Sequence, residues 1–194
     1  LAENFAQGMT YLTAIALPIA LGISVLSRDI ILTLYTPEFE PSILPLKILL
    51  AGFLFSFLSF PIGALLNACN RQATQTTIIG LVMLVNIILN VFLIPRYGVA
   101  GAACAALIGN ILLTVFGYAF VPRLATIPHA QLAWKGIRLL VCASIMATAV
   151  WYTNTFTHFS VAIIVGAIVY PVCVVAFGVI KKDELKNLLI MIHR

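Results

Sequence analysis

The chain has 194 residues, of which 62% are hydrophobic and only 9% charged, with a formal net charge of +5. A water-soluble domain carries about 25% charged side chains, so this complement cannot clothe a surface in water, and a mean hydropathy of +1.12 points to lipid as the solvent. No basic stripe interleaved with aromatics accompanies the positive charge, which argues against a nucleic-acid partner and for an orientation signal.

The chain opens on Leu1, and LAENFAQGM has neither the basic n-region nor the small-residue cleavage site of a signal peptide. It reads as the tail of a connecting segment, and the sequence as a piece of a longer protein. The first apolar run covers residues 9–26. Ser27, Arg28 and Asp29 then read as an interfacial turn. Residues 30–35 are too short to cross a bilayer; they either extend the first helix past the lipid or lie along the interface, with Pro37 closing them. Further apolar runs follow at residues 48–66, 76–94, 99–120, 134–152 and 159–180, the fifth run carrying Lys135 and Arg138 in its first turn. Each run approaches the roughly 20 residues that a helix needs to cross about 30 Å of hydrocarbon. None alternates polar and apolar residues as a membrane β-barrel strand does. With no water to satisfy the backbone, the expected fold is an all-α integral membrane protein with six transmembrane helices.

The last stretch, KKDELKNLLIMIHR, places Leu185, Leu188, Leu189 and Ile192 at helical spacing beside lysines, the pattern of an amphipathic helix on a membrane surface. Its KDEL is not a retention address, because that signal must end the chain. Six crossings place Arg71, Arg123, Lys135, Arg138, Lys181, Lys182, Lys186 and Arg194 on one side and Arg28, Lys47 and Arg96 on the other. The connections are short, the regime in which basic residues mark the cytoplasmic face. Both ends of the chain are therefore expected inside, with residues 27–45, 95–98 and 153–158 facing outward.

Within the runs, polar and backbone-breaking residues are few. Gly101, Ala105 and Gly109 form a stripe at intervals of four, which Ala102 and Ala106 widen. Such stripes let helices approach closely, as a static seam or as a sliding contact. Asn86 and Asn90 share a face of the third run and Asn110 lies in the fourth. An amide in hydrocarbon is kept either as glue between helices, at about 0.6 to 2 kcal/mol per bond, or as the lining of a wet cavity. Pro18, Pro61 and Pro171 each remove a backbone donor inside an apolar run, so kinks are expected there.

Cys69, Cys104, Cys142 and Cys173 lack metal-ligand spacing, and the last three sit in apolar runs as small hydrophobes. The histidines, at positions 129, 158 and 193, form no HExxH arrangement, and no serine, histidine and acid converge on one pocket. Neither an enzyme, a metal nor a cofactor is expected.

NVFLIPRYGVAGAACAALIGN, residues 90–110, carries Asn90, then Ile94-Pro95, a Tyr97-Gly98 turn and the small-residue start at Gly101. It resembles the polysaccharide-exporter branch of the multidrug/oligosaccharidyl-lipid/polysaccharide flippase superfamily. Residues 17–55, with an outward loop pairing an aromatic with a glutamate, and LLNACNRQATQTTIIG at 65–80 are similar to the same family. The resemblance spans residues 9–121; residues 122–180 match by topology and composition, and 181–194 form the basic tail. It implies a bacterial or archaeal plasma-membrane carrier of two related halves, of which this chain is the C-terminal part and lacks the N-terminal half. It also implies alternating access that flips a glycan linked to a polyprenyl pyrophosphate. Asn86, Asn90, Asn110 and Arg96 are the substrate-path candidates. A multidrug extruder of the same superfamily, or a membrane scaffold of a glycan-synthesis complex, are the alternatives.

Overall fold

The computed structural model describes residues 2–124 and 127–179. Five helices fill them: α1 (Ala2–Leu34), α2 (Ile43–Ala68), α3 (Gln72–Phe120), α4 (His129–Phe156) and α5 (Phe159–Ala176). Short 3-10 turns cover Pro37–Ser42 and Val121–Arg123. All five helical segments are long and apolar enough to cross a membrane by length and composition. The expected surface helix at 181–194 lies outside the described residues.

α1 departs from the expected connecting segment and turn at both ends. Helix begins at Ala2, so the opening residues are not a connecting tail, and it passes through Ser27, Arg28 and Asp29 without a turn. The two charges leave the helix sideways instead of ending it. Arg28 pairs with Glu40 at 3.1 Å and Asp29 accepts a 2.8 Å bond from Asn154 of α4. A helix of this length measures about 50 Å, so its ends outreach the hydrocarbon. Pro37 does close it, after which the 3-10 turn stacks Phe39 on Tyr35 with ring centres 5.2 Å apart.

α3 is a single helical assignment of 49 residues, yet it doubles back. Gly98 has φ 55° and ψ −133°, a conformation that a side chain would strain. Beyond it the second arm runs antiparallel along the first. A Cβ on Gly101 would collide with the carbonyl of Leu93, and one on Gly109 would lie 3.7 Å from Val82. A straight helix would hold residues 82 and 109 about 40 Å apart. The Pro95-Arg96-Tyr97-Gly98 corner is thus a hairpin tip.

The other contacts set the directions. Gly8 faces Pro61, so α1 and α2 are antiparallel; Gly22 meets Met146 and Asp29 meets Asn154, so α1 and α4 run parallel. Thr114 donates to the Phe55 carbonyl at 2.8 Å and Gly117 abuts Ile62, which aligns the second arm of α3 with α2. Gly166 abuts Val150, so α5 returns along α4. α1 is the hub, packed against α2, α4 and α5, while α3 attaches through α2. One buried cluster joins Leu17 and Leu26 of α1 to Leu139, Met146, Val150 and Tyr170; another joins Phe5 and Met9 to Ile62, Leu65, Leu66 and Val121. The start of α1, residues 69–71, residues 121–124 and 127–128, and the end of α5 share the near end of the bundle. Residues 35–42, the α3 tip and residues 157–158 share the far end.

Pro18, Pro61 and Pro171 lie inside α1, α2 and α5, which continue through them as helix; among the described residues the internal departure from helical φ/ψ is Gly98. The backbone cost of Pro18 is met from another helix. Proline at 18 leaves the Ala14 carbonyl without its usual i+4 donor, and the buried Tyr170 hydroxyl donates to that oxygen at 2.7 Å. Tyr170→Phe should cost about 1 kcal/mol in detergent-micelle unfolding. The cost should shrink in a Pro18→Ala background, where residue 18 regains an N–H for Ala14; a double-mutant cycle without coupling would contradict this account.

Candidate functional site

The polar residues singled out in the apolar runs sit in two different seams. Between the α3 arms, Asn86 Nδ2 donates to the Ala105 carbonyl at 3.0 Å, while Asn90 Nδ2 donates to both the side-chain and the backbone oxygen of Asn86 at 2.9 Å. Both asparagines are half-buried. Gly101, Ala105 and Gly109 are buried against this first arm, and a Cβ on Gly109 would approach Asn86 Nδ2 to 3.3 Å. The small residues therefore admit the amide to a backbone carbonyl, a contact that bulkier side chains would block.

Asn110 lies on the opposite face of the second arm. Its Nδ2 would stand 3.3 Å from a Cβ on Gly52, so it occupies the seam with α2, beside the Thr114 bond to Phe55. Arg96 is exposed at the hairpin tip. The four substrate-path candidates do not converge on one cavity: two lock the hairpin, one faces α2 and one sits at the far end.

The structure adds residues that sequence reading passed over. Gln75, half-buried, lies over Gly63, where a Cβ would stand 2.7 Å from its Nε2; with Ser59, Asn67, Ile78 and Leu113 it lines a cleft of about 380 Å³ between α2 and both arms of α3. Tyr118 Oη and His129 Nδ1 lie 2.7 Å apart, clasping the end of α3 to the start of α4. Their separation across an irregular connection left no periodic signal to find. An apolar cleft of about 410 Å³ separates α1 from α5, between Pro18, Gly22, Gly166 and Pro171. No cluster of three or more metal-ligating side chains occurs among the described residues.

An all-helical bundle, held by small-residue seams and amides, with its charges at the ends, is the architecture of a multi-spanning membrane protein. The family model for "Lipid II flippase MurJ" matches residues 1–170. The chain belongs to this flippase family. That family is one of non-catalytic transporters, within the superfamily that the residue 90–110 motif resembles, and the chain carries several helices long and apolar enough to cross a membrane. Over 90% of its length it is 28% identical to the "Probable low-salt glycan biosynthesis flippase Agl15" of Haloferax volcanii, covering 38% of that protein. It is likewise 28% identical to the lipid II flippase MurJ of Bacillus subtilis, over 93% of this chain and 36% of that protein. Stage V sporulation protein B of the same bacterium is 26% identical over 74% of the chain, which covers 29% of it. The chain thus spans 29% to 38% of the length of these curated relatives. No solved structure matches it.

The α3 seam is open to a direct test. In a background lacking the native cysteines, Val82→Cys with Gly109→Cys should form a disulfide under mild oxidation. Gly101→Leu should suppress it by forcing the arms apart at Leu93. Asn86→Leu should leave crosslinking intact and lower stability by about 0.6 to 2 kcal/mol.

Proposed function

We propose that the chain is the C-terminal part of a carrier that flips a lipid-linked oligosaccharide or polysaccharide precursor, on a polyprenyl-pyrophosphate-type anchor, across a bacterial or archaeal plasma membrane. The observation that carries the reading is the family match over residues 1–170, together with the names of the bacterial and archaeal relatives. In this reading α3 crosses twice, making six crossings. The Gly98 reversal and the parallel course of α1 and α4 support that number, since an even count of reversals must lie between two parallel helices. Residues 1–121 supply four crossings and 122–180 two, as one lobe of a two-lobed bundle, with the N-terminal half of the carrier supplying the other.

The near end faces the cytoplasm in this reading. Arg71, Arg123, Lys135 and Arg138 belong to it, against Arg28, Lys47 and Arg96 at the far end, and the bias of basic residues favours that side as cytoplasmic. Exposed aromatics mark both interfaces: Tyr35, Phe39, Tyr97 and Tyr152 at the far end, Trp134 at the near end. Transport runs by alternating access, the two lobes rocking about a cavity between them. Asn86, Asn90, Asn110 and Arg96 remain the candidates for contact with substrate along that path. In the hairpin seam the asparagines act first as glue.

Two measurements test this. Vesicles containing the full-length protein should move labelled lipid-linked oligosaccharide between leaflets faster than protein-free vesicles; equal rates with folded protein would refute the transport reading. Cysteines placed at Arg71 and Arg123 should react with impermeant reagents only from the cytoplasmic face, and one at Arg96 only from outside.

A further inference from the structure

At the near end, α1 and α4 diverge around a cleft of about 440 Å³, lined by Glu3, Gln7, Thr10, Gln131, Lys135 and Val179 among others. It differs in chemistry from the clefts at Gln75 and between α1 and α5: one wall carries a carboxylate and the other an ammonium. Glu3 and Lys135 are both exposed and do not pair with each other; the ion pair among the described residues is Arg28 with Glu40, at the far end. Arg138, one turn beyond Lys135, is already engaged, its guanidinium 5.3 Å from the Trp134 ring centre and 3.3 Å from the Phe177 carbonyl. Among the described residues, Lys135 is thus the cation that lines the cleft. Trp134, more than half exposed, fixes the depth, since tryptophan concentrates where headgroups meet hydrocarbon.

A ligand that satisfies both walls carries a positive and a negative group and sits at headgroup level. We infer that the cleft binds the headgroup of a zwitterionic aminophospholipid, with Glu3 accepting from its ammonium and Lys135 holding its phosphate. Gln7 and Gln131 supply amides for the remaining phosphate and ester oxygens. A primary ammonium donates hydrogen bonds to a carboxylate, whereas a choline headgroup cannot. An anionic glycerol headgroup would satisfy Lys135 and face repulsion from Glu3. The site is independent of what the carrier flips.

The test is lipid retention by the full-length protein in native mass spectrometry, with phosphatidylethanolamine, phosphatidylcholine and phosphatidylglycerol of identical chains. Phosphatidylethanolamine should be held about fivefold more tightly than either competitor, the effect of one added charge contact at a membrane surface. Glu3→Gln should reverse the order in favour of phosphatidylglycerol. Lys135→Gln should weaken retention of all three lipids, whose phosphate it holds, and Lys135→Arg should restore it. Equal retention of the three lipids, or an unchanged order in Glu3→Gln, would overturn the inference. Competition by soluble glycerophosphoethanolamine as strong as that by the intact lipid would overturn the assignment to a membrane lipid. Should the Glu3 variant fold poorly, the ranking of the three lipids on the unaltered protein still decides the inference.

Discussion

In hydrocarbon every backbone N–H and C=O must find a partner inside the protein, and this one constraint governs where the chain bends, what it spends polar side chains on and which helices touch. Hydroxyls obey it first. Thr10 and Ser27, both buried, donate to the carbonyls of Ala6 and Ser24 on their own helix at 2.8 Å. No buried side-chain nitrogen or oxygen among the described residues lacks a partner. Proline then creates the demand that joins helices: Pro18 releases the Ala14 carbonyl, and Tyr170 reaches it from α5. What looks like a point of weakness in α1 becomes a fixed contact, next to Pro171 in the facing helix.

The same constraint bears on the α3 hairpin. The reversal is compressed into one glycine at the exposed tip, and helix resumes on either side, so the backbone of both arms stays paired up to the corner. Once the arms lie together there is little hydrophobic gain in pressing apolar surfaces against each other in lipid. Closeness has to come from small residues and from amides. Gly101 permits the approach at Leu93, and Asn86 bonds the Ala105 carbonyl. The outward face of the first arm, with Met83, Ile87, Val91 and Phe92 exposed, is the surface that lipid or the rest of a carrier would solvate.

Most of the architecture was legible because membrane helices announce themselves by length and apolarity, and the PRYG corner did so by combining the residues that end and reverse a helix. Boundaries were less legible. Arg28 and Asp29 looked like a turn because charge inside an apolar run is costly, but that cost falls away when Glu40 and Asn154 receive the two side chains beyond the core of the bilayer. The partners lie 12 and 125 residues away from them in sequence, and nothing local signals either. The opening residues were read as a connecting tail for the same reason: polar residues at a helix end belong to the interface, and helix and linker there have similar composition. Asn70, between α2 and α3, has a φ of 56°, which uses the tolerance of asparagine for the left-handed region. The candidate residues 86, 90 and 110 could be placed on helix faces from spacing alone. That 86 and 90 bond along one seam while 110 faces another depends on how three helices are rotated, which one sequence does not encode in any short pattern.

The substrate proposed above, a glycan on an anionic lipid anchor, poses a further constraint. A pyrophosphate drawn below headgroup level needs cations, because its desolvation would otherwise be prohibitive. Among the described residues the cations lie at the two ends: Arg28 is tied to Glu40, Arg138 to Trp134 and Phe177, and Arg123 stacks on Phe120 with its guanidinium 5.5 Å from the ring centre. The interior offers amides, hydroxyls and small-residue seams, which suit a glycan or a hydrocarbon chain but do not balance two phosphates. In the carrier proposed above, the described helices would contribute shape and hydrogen bonding in mid-membrane, with α1 packed against three neighbours, and not charge.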